Sequence, residues 1–253
     1  RLPRRARPIV YVVVGTPFLL GFLIPVAQLL YWATLSISRV EWELVLRSTI
    51  NTALVASLGA VICLITGIIL AYAPRVTGGA LFRHLTDFAS LGYAIPGAVV
   101  AIGVMSLVSG VGAAAIGSVG ALLFAYTVRY LAVAHRPLSE GLSQLSGSLD
   151  EAGRSLGSGP TRSLVGVSLP VMSGTLSTAA VFVFVDIIKE LPLTTVLRPF
   201  DFPTLAVETF RLAGDERMAE SSETALILIG VGSIPVLVHR ALSRSQKGRR
   251  RLV

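Results

Sequence analysis

Residues 151–170 read EAGRSLGSGPTRSLVGVSLP, a polar, glycine-punctuated segment set between long apolar runs. Just upstream, Ser148-Leu149-Asp150-Glu151 fits a capping box: the Ser148 side chain accepts from the backbone N–H of Glu151, and Glu151 reaches back to Ser148. The pattern predicts a short helix from Leu149 to about Leu156 and a break from Gly157 to Pro160. A second short helix, capped by Thr161, is expected to end before Pro170. Ala152, Gly153 and Gly157 leave a face without bulk, against which a partner's groove can close, and Glu151 and Arg154 flank that face with charge.

The runs on either side set the environment. Of 253 residues, 53% are hydrophobic and only 14% charged, and mean hydropathy is +0.75. Soluble domains carry about 25% charged residues, so the chain is read as an all-α membrane protein. A helix needs about 20 apolar residues to cross a bilayer. About six spans are expected, at 9–32, 49–72, 88–108, 111–133, 171–188 and 224–239, in one transmembrane domain covering 1–253. Between them lie a cytoplasmic loop at 134–170 and an outer loop at 189–223. The basic start followed by an apolar run at 9–32 is too long for a signal-peptide core, so a first membrane helix is expected.

With the N-terminus inside, 16 of the 22 Lys and Arg fall on the cytoplasmic side, Arg129 among them, and Arg39, Arg47, Lys189, Arg198, Arg211 and Arg217 fall outside. The positive-inside rule then supports N-in, C-in and an even number of spans. The net charge of +8 is assigned to anionic lipid headgroups, not to nucleic acid. The lone Cys63 sits in an apolar run as a small hydrophobe, and three His with one Cys leave no zinc-type cluster. No metal site is expected.

Three local patterns lack the context their chemistry needs. Gly153-Arg154-Ser155-Leu156-Gly157 matches a nucleophile elbow, but a helix cap precedes it where a strand is required, and the only downstream His is His239. Gly110-x-Gly112-x-x-Ala115 mimics a dinucleotide fingerprint inside an apolar run. The Gly153/Gly157 pair has polar surroundings, unlike a membrane dimerisation motif. The chain has no phosphate-binding loop of the form G-x-x-x-x-G-K-[ST], so no ATPase site and no catalytic residue are assigned.

A second distinctive stretch, residues 186–206, reads DIIKELPLTTVLRPFDFPTLA. Asp186 and Glu190 are four apart on one helix face, Lys189 is placed to pair with Asp186, and Pro192 is expected to end the helix. Ionisable residues at the end of a span are candidates for a substrate pathway or gate, so Asp186, Lys189, Glu190 and Pro192 are marked as such. The alternative is an interfacial anchor with Lys189 reaching outward. Ten acids against six bases make the outer side net negative, which suits a cation or a basic docking protein. The centres of the expected spans hold no acid or base, which counts against an ion-coupled secondary transporter.

The order Glu151-Ala152-Gly153, Gly157, then Val167-x-Leu169-Pro170 resembles the coupling motif of bacterial ABC-transporter permeases of the type I importer class. Gly153 stands where the family has Ala, and Val167 where it has Ile. The resemblance implies that residues 148–170 dock a separate ATPase, with Glu151, Ala152, Gly153, Arg154, Gly157, Leu169 and Pro170 as coupling residues. ATP and Mg would belong to that ATPase, and this chain would bind no cofactor. Lys189–Pro192, Leu197–Phe200 and Thr204–Ala206, with Leu91–Gly97 upstream, resemble the ferric-iron permeases within that class. This likeness covers roughly 88–239 and is shared more loosely with thiamine, phosphonate, sugar-phosphate and polyamine relatives.

It implies a permease subunit in a bacterial inner membrane. Its partners would be an ABC ATPase dimer, a second permease half and an extracytoplasmic substrate-binding protein that itself holds the iron. The absent initial Met and basic start suit the C-terminal half of a fused permease.

Overall fold

The computed structural model describes residues 7–77, 84, 86, 88, 89, 91–110, 112, 115–146, 153, 155 and 157–249, and among them the regular structure is helical. The main helices are α1 (Arg7–Phe18), α2 (Ile24–Ser36), α3 (Trp42–Thr77), α4 (Gly97–Ser109) and α5 (Val119–Ser143). They continue as α6 (Pro160–Val171), α7 (Ser173–Ile188), α8 (Pro192–Leu197), α9 (Leu205–Gly214) and α10 (Met218–Arg249).

Prolines shape several of these helices. Between α1 and α2 the chain runs through a π-helical turn, Leu19–Leu23, closed by the Ile24 N–H on Leu19 O, and Pro25 follows at once. Inside α6 the same arrangement recurs: a π turn at Leu164–Ser168, the Leu169 N–H on Leu164 O, then Pro170. A proline ring clashes with the carbonyl four residues back and leaves it without a donor. One wider turn immediately before the ring relieves both effects and keeps the helix continuous.

Among the described residues three helices are long and apolar enough to cross a membrane: Val10–Arg39, Trp42–Thr77 and Met218–Ala241. Pro160–Val171 and Ser173–Ile188 meet that standard together but are bent by 81° at Met172. Elsewhere the helices differ from the expected spans. The stretch 88–108 is interrupted by a 3-10 turn at Leu91–Tyr93 and by Pro96, whose extended ψ of 137° places the start of α4 at Gly97. Of the stretch 111–133, residues 115–118 form turns that end at Ser118, whose side chain caps the Ala121 N–H at 3.1 Å, and α5 then runs on to Ser143. Arg129 therefore lies in the interior of a helix, not at its end.

The chain forms two compact units. One comprises Arg1–Thr49 and Pro203–Gly230. In it Ser36 Oγ bonds Ala219 O at 2.8 Å and also the buried Glu223 carboxylate. Thr209 Oγ1 donates to Thr224 Oγ1 at 2.9 Å. Arg211 pairs with Glu208 at 2.9 Å and with Asp215 at 3.3 Å, and Arg217 pairs with Glu220.

The other unit comprises Ile50–Phe202 and Val231–Val253. Its core joins Ala71 and Tyr72 of α3, Leu138 and Leu142 of α5, Met172 at the bend and Ala179 of α7. Arg75 Nη2 donates to Leu145 O at 3.0 Å and to Leu142 O, supplying a cation where α5 exposes its last carbonyls.

Candidate functional site

The polar segment ends its first helix through backbone geometry. The Ser158 N–H donates to Gly153 O at 2.9 Å, and Gly157 between them has φ +75°. A six-to-one bond closed over a left-handed residue is the Schellman termination, and glycine holds that conformation without a Cβ penalty. A Cβ at Gly157 would meet nothing within 4 Å, so the position is open to an approaching surface. Gly153 and Gly157 are thus brought together at one helix end; Glu151, Ala152 and Arg154 lie outside the described residues.

The next helix corrects two expectations. Gly159, not Thr161, takes the N-cap position, with Pro160 as the first helical residue. Proline suits that position because its missing N–H would have no helical partner there. Nor does Pro170 stop the helix: the π turn before it carries the chain through Leu169 and Pro170 to Val171. Tyr72 OH donates to Pro160 O at 3.2 Å, and Leu164 packs on the core cluster. The segment is therefore seated on α3 at its start and enters the core at its end.

At the far end of α7 the chain turns through residues 189–191. α7 stops at Ile188, with Lys189 as C-cap, so Pro192 does not end this helix; it begins α8 as its first residue. Lys189 pairs with Asp186 at 2.7 Å, as the spacing suggested, and its side chain stays 63% exposed. Glu190 is not on that exposed face. It is 7% exposed, and its carboxylate is ringed by partners. Oε1 accepts the Leu193 N–H at 3.1 Å. Oε2 accepts the Tyr130 hydroxyl and lies 3.3 Å from Arg129 Nε. That nitrogen is not aimed well enough to count as a hydrogen bond, so the contact is chiefly Coulombic.

Further bonds fix the elbow. Thr194 Oγ1 donates to Glu190 O at 2.7 Å. Its single proton is then used, so Tyr126 OH must donate to Thr194 Oγ1 across their 2.6 Å contact. Arg129 Nη1 also bonds Ile95 O, in the turn before α4. Gly97 faces this cluster closely: a Cβ there would stand 2.5 Å from Glu190 Oε1 and 3.4 Å from Arg129 Cζ. At Gly92 a Cβ would overlap the Val128 carbonyl of α5. The glycines of the 91–97 stretch thus let it lie directly on α5 and the elbow.

Sequence reasoning missed Arg129, Tyr130 and Tyr126, and met Gly97 only as the end of the 91–97 stretch. The signal was present: Arg129 is a base inside an apolar run, and such residues are paired as a rule. Treating it as the cytoplasmic end of a span hid this. Its contact with Glu190 corrects the charge assignment, since a base counted inside touches an acid counted outside.

No family model matches the chain. In sequence it is similar to the Fe(3+)-transport system permease protein FbpB 2 of Haemophilus influenzae, at 26% identity over 224 residues, 87% of this chain and 44% of that protein. It is also similar to the 2-aminoethylphosphonate transport system permease protein PhnV of Salmonella typhimurium, at 26% identity over 190 residues, 75% of this chain and 70% of that one. The chain spans less than half the length of the iron-transport relative. Among solved structures, a bacterial alginate ABC transporter in complex with an alginate-bound periplasmic protein matches with TM-score 0.76 at 14% identity, covering 96% of each chain. The inward-facing MetNI methionine ABC transporter matches with TM-score 0.65 at 17% identity, covering 83% of this chain and 97% of that one. The chain is a multi-pass membrane protein that is related in sequence to transport-system permeases and carries the fold of an ABC-transporter permease subunit.

Proposed function

We propose that this chain is the transmembrane permease subunit of a binding-protein-dependent ABC importer for ferric iron in a bacterial cytoplasmic membrane. The observation that carries the reading is one continuous path. An open, Schellman-capped helix end at Gly157 leads through α6 and the 81° bend into α7, which ends at the anchored Glu190 elbow. A push on the capped end moves a seated lever whose far end is held by Arg129 and Tyr130. That is the geometry needed to pass work from a separate ATPase to a membrane pathway.

In this reading an ABC ATPase dimer binds ATP and Mg and docks on residues 148–170. A second permease half completes the pathway, and an extracytoplasmic binding protein delivers the substrate. Ferric iron is supported by the sequence likeness over 87% of the chain, not by a liganding group. Among the described residues no three His, Cys, Asp or Glu gather where they could hold a metal. Asp186 and Glu190 are engaged by Lys189 and Arg129, so their proposed part is to shape the elbow at the pathway and not to ligate the ion.

The test is uptake of radioactive ferric iron by cells lacking the natural protein and by cells in which it is restored. Iron uptake that depends on the chain and on a co-expressed ATPase is expected. Iron uptake unchanged by deletion, with phosphonate uptake lost, would transfer the assignment to the second substrate.

A further inference from the structure

We infer that Arg136 is the recognition residue of an oxyanion site on one face of α5, which the permease reading would set along the substrate route. Residues 132, 133, 136, 139 and 140 recur at the spacing of a single helix face. That face lines two clefts. One, of about 390 Å³, is lined by Tyr93, Phe182, Val185, Asp186 and Val236. The other, of about 400 Å³, is the more polar of the two and is lined by His135, Ser139 and Glu140 together with Leu91 and Ala94. Arg136 belongs to both and so stands where they join.

The charges around it differ in kind. Asp186 is engaged by Lys189 at 2.7 Å, and two turns before Arg136 on α5, Arg129 is engaged by Glu190. Among the described residues Arg136 makes no ion pair, and it is exposed to the cleft. Glu140 lines only the polar cleft and is not paired with it. A guanidinium presents a planar fork of donors that matches a phosphonate, phosphate or carboxylate through two parallel bonds. The rings of Tyr93 and Phe182, each about half exposed, leave the fork open to a ligand entering the cleft.

The inference rests on the permease reading and narrows its substrate class to a ligand that presents an oxyanion. Ferric iron is a hard cation that takes oxygen ligands, so it meets the requirement when it arrives with an oxyanion in its ligand shell. A free organophosphonate meets it directly.

The test is a labelling-protection experiment on the full natural protein in lipid nanodiscs, with Ser139→Cys as reporter in a Cys63→Ala background. Inorganic phosphate, against chloride at equal ionic strength, is expected to slow maleimide labelling at least about fivefold once it exceeds its dissociation constant by that factor. Arg136→Gln should abolish the protection and Arg136→Lys should keep part of it. Protection by phosphate alone identifies a free oxyanion. Protection only when ferric iron is added with citrate, and not by citrate alone, identifies an iron-borne one. No protection under any condition, or equal protection in Arg136→Gln, overturns the inference. Co-purification of an ATPase is measured on the same preparations, so failure of the permease reading is seen separately.

Discussion

The two ends of α7 are built on opposite plans. At the elbow, Glu190 is buried and held by Tyr130, Arg129 and the Leu193 N–H. At the bend, the segment leading in from Gly157 is fixed by backbone geometry and a few apolar anchors, and its glycines face open space. A buried charge pair is a poor source of net stability, yet breaking one partner is costly because the other is left uncompensated. A glycine-capped helix end carries no such liability and can change its neighbours freely. One end is suited to holding a fixed geometry, the other to meeting a surface that comes and goes.

The sharpest way to break this contrast is topological. Under the proposed arrangement the two regions face opposite sides of the membrane. Thr204 is only 3% exposed and makes a poor outer reporter, whereas Phe200 is fully exposed. In a Cys63→Ala background, Phe200→Cys should label with an impermeant reagent in intact cells and Ser158→Cys should not. Equal labelling of both would refute the arrangement.

Next in size is the elbow charge. Arg129→Met leaves the Glu190 carboxylate buried without its cation, and a loss of about 3 kcal/mol, at the lower end for broken buried pairs because Arg129 retains some exposure, is expected in unfolding in detergent. Adding Glu190→Gln should recover part of that loss. If the double variant is no better than Arg129→Met alone, the two residues are not coupled.

Gly97→Ala should act on the same cluster less strongly. Its Cβ displaces Glu190 Oε1, which predicts about 1–3 kcal/mol of overpacking strain, read by the same unfolding measurement. A neutral result would mean that the carboxylate moves without cost. Smaller still, Gly157→Ala should cost about 1 kcal/mol, the penalty of a left-handed backbone for a residue with a Cβ. Smallest is Lys189→Ala: the exposed Lys189–Asp186 pair should contribute less than about 1 kcal/mol. A larger loss on thermal unfolding would make Lys189 an anchor after all.

The described part of the glycine-punctuated segment was legible because its signals are local. Gly157 followed by Pro160 forecasts a helix end and a new start from φ preferences alone, and the Schellman bond lies there. Pro170 was misread because the cost of a ring can be absorbed by a preceding π turn, which sequence does not announce. Pro192 was misread for a related reason: proline both stops and starts helices, and Ile188 had already ended α7. At the elbow the Asp186–Lys189 pair followed from i,i+3 spacing. The Arg129–Glu190 pair, 61 residues apart, depends on how α5 packs against the elbow, which no local pattern encodes.

Residues around Gly157 are proposed to receive an ATPase. The most direct measurement is the yield of ABC ATPase co-purifying with the natural protein, with Gly157→Arg and with Gly157→Ala. Both variants carry the same backbone strain, but only arginine adds bulk and charge to the open face. Gly157→Arg should lose the ATPase while inserting in the membrane at normal level, and Gly157→Ala should retain most of it. ATPase recovered with Gly157→Arg at wild-type yield would rule out docking at this helix end.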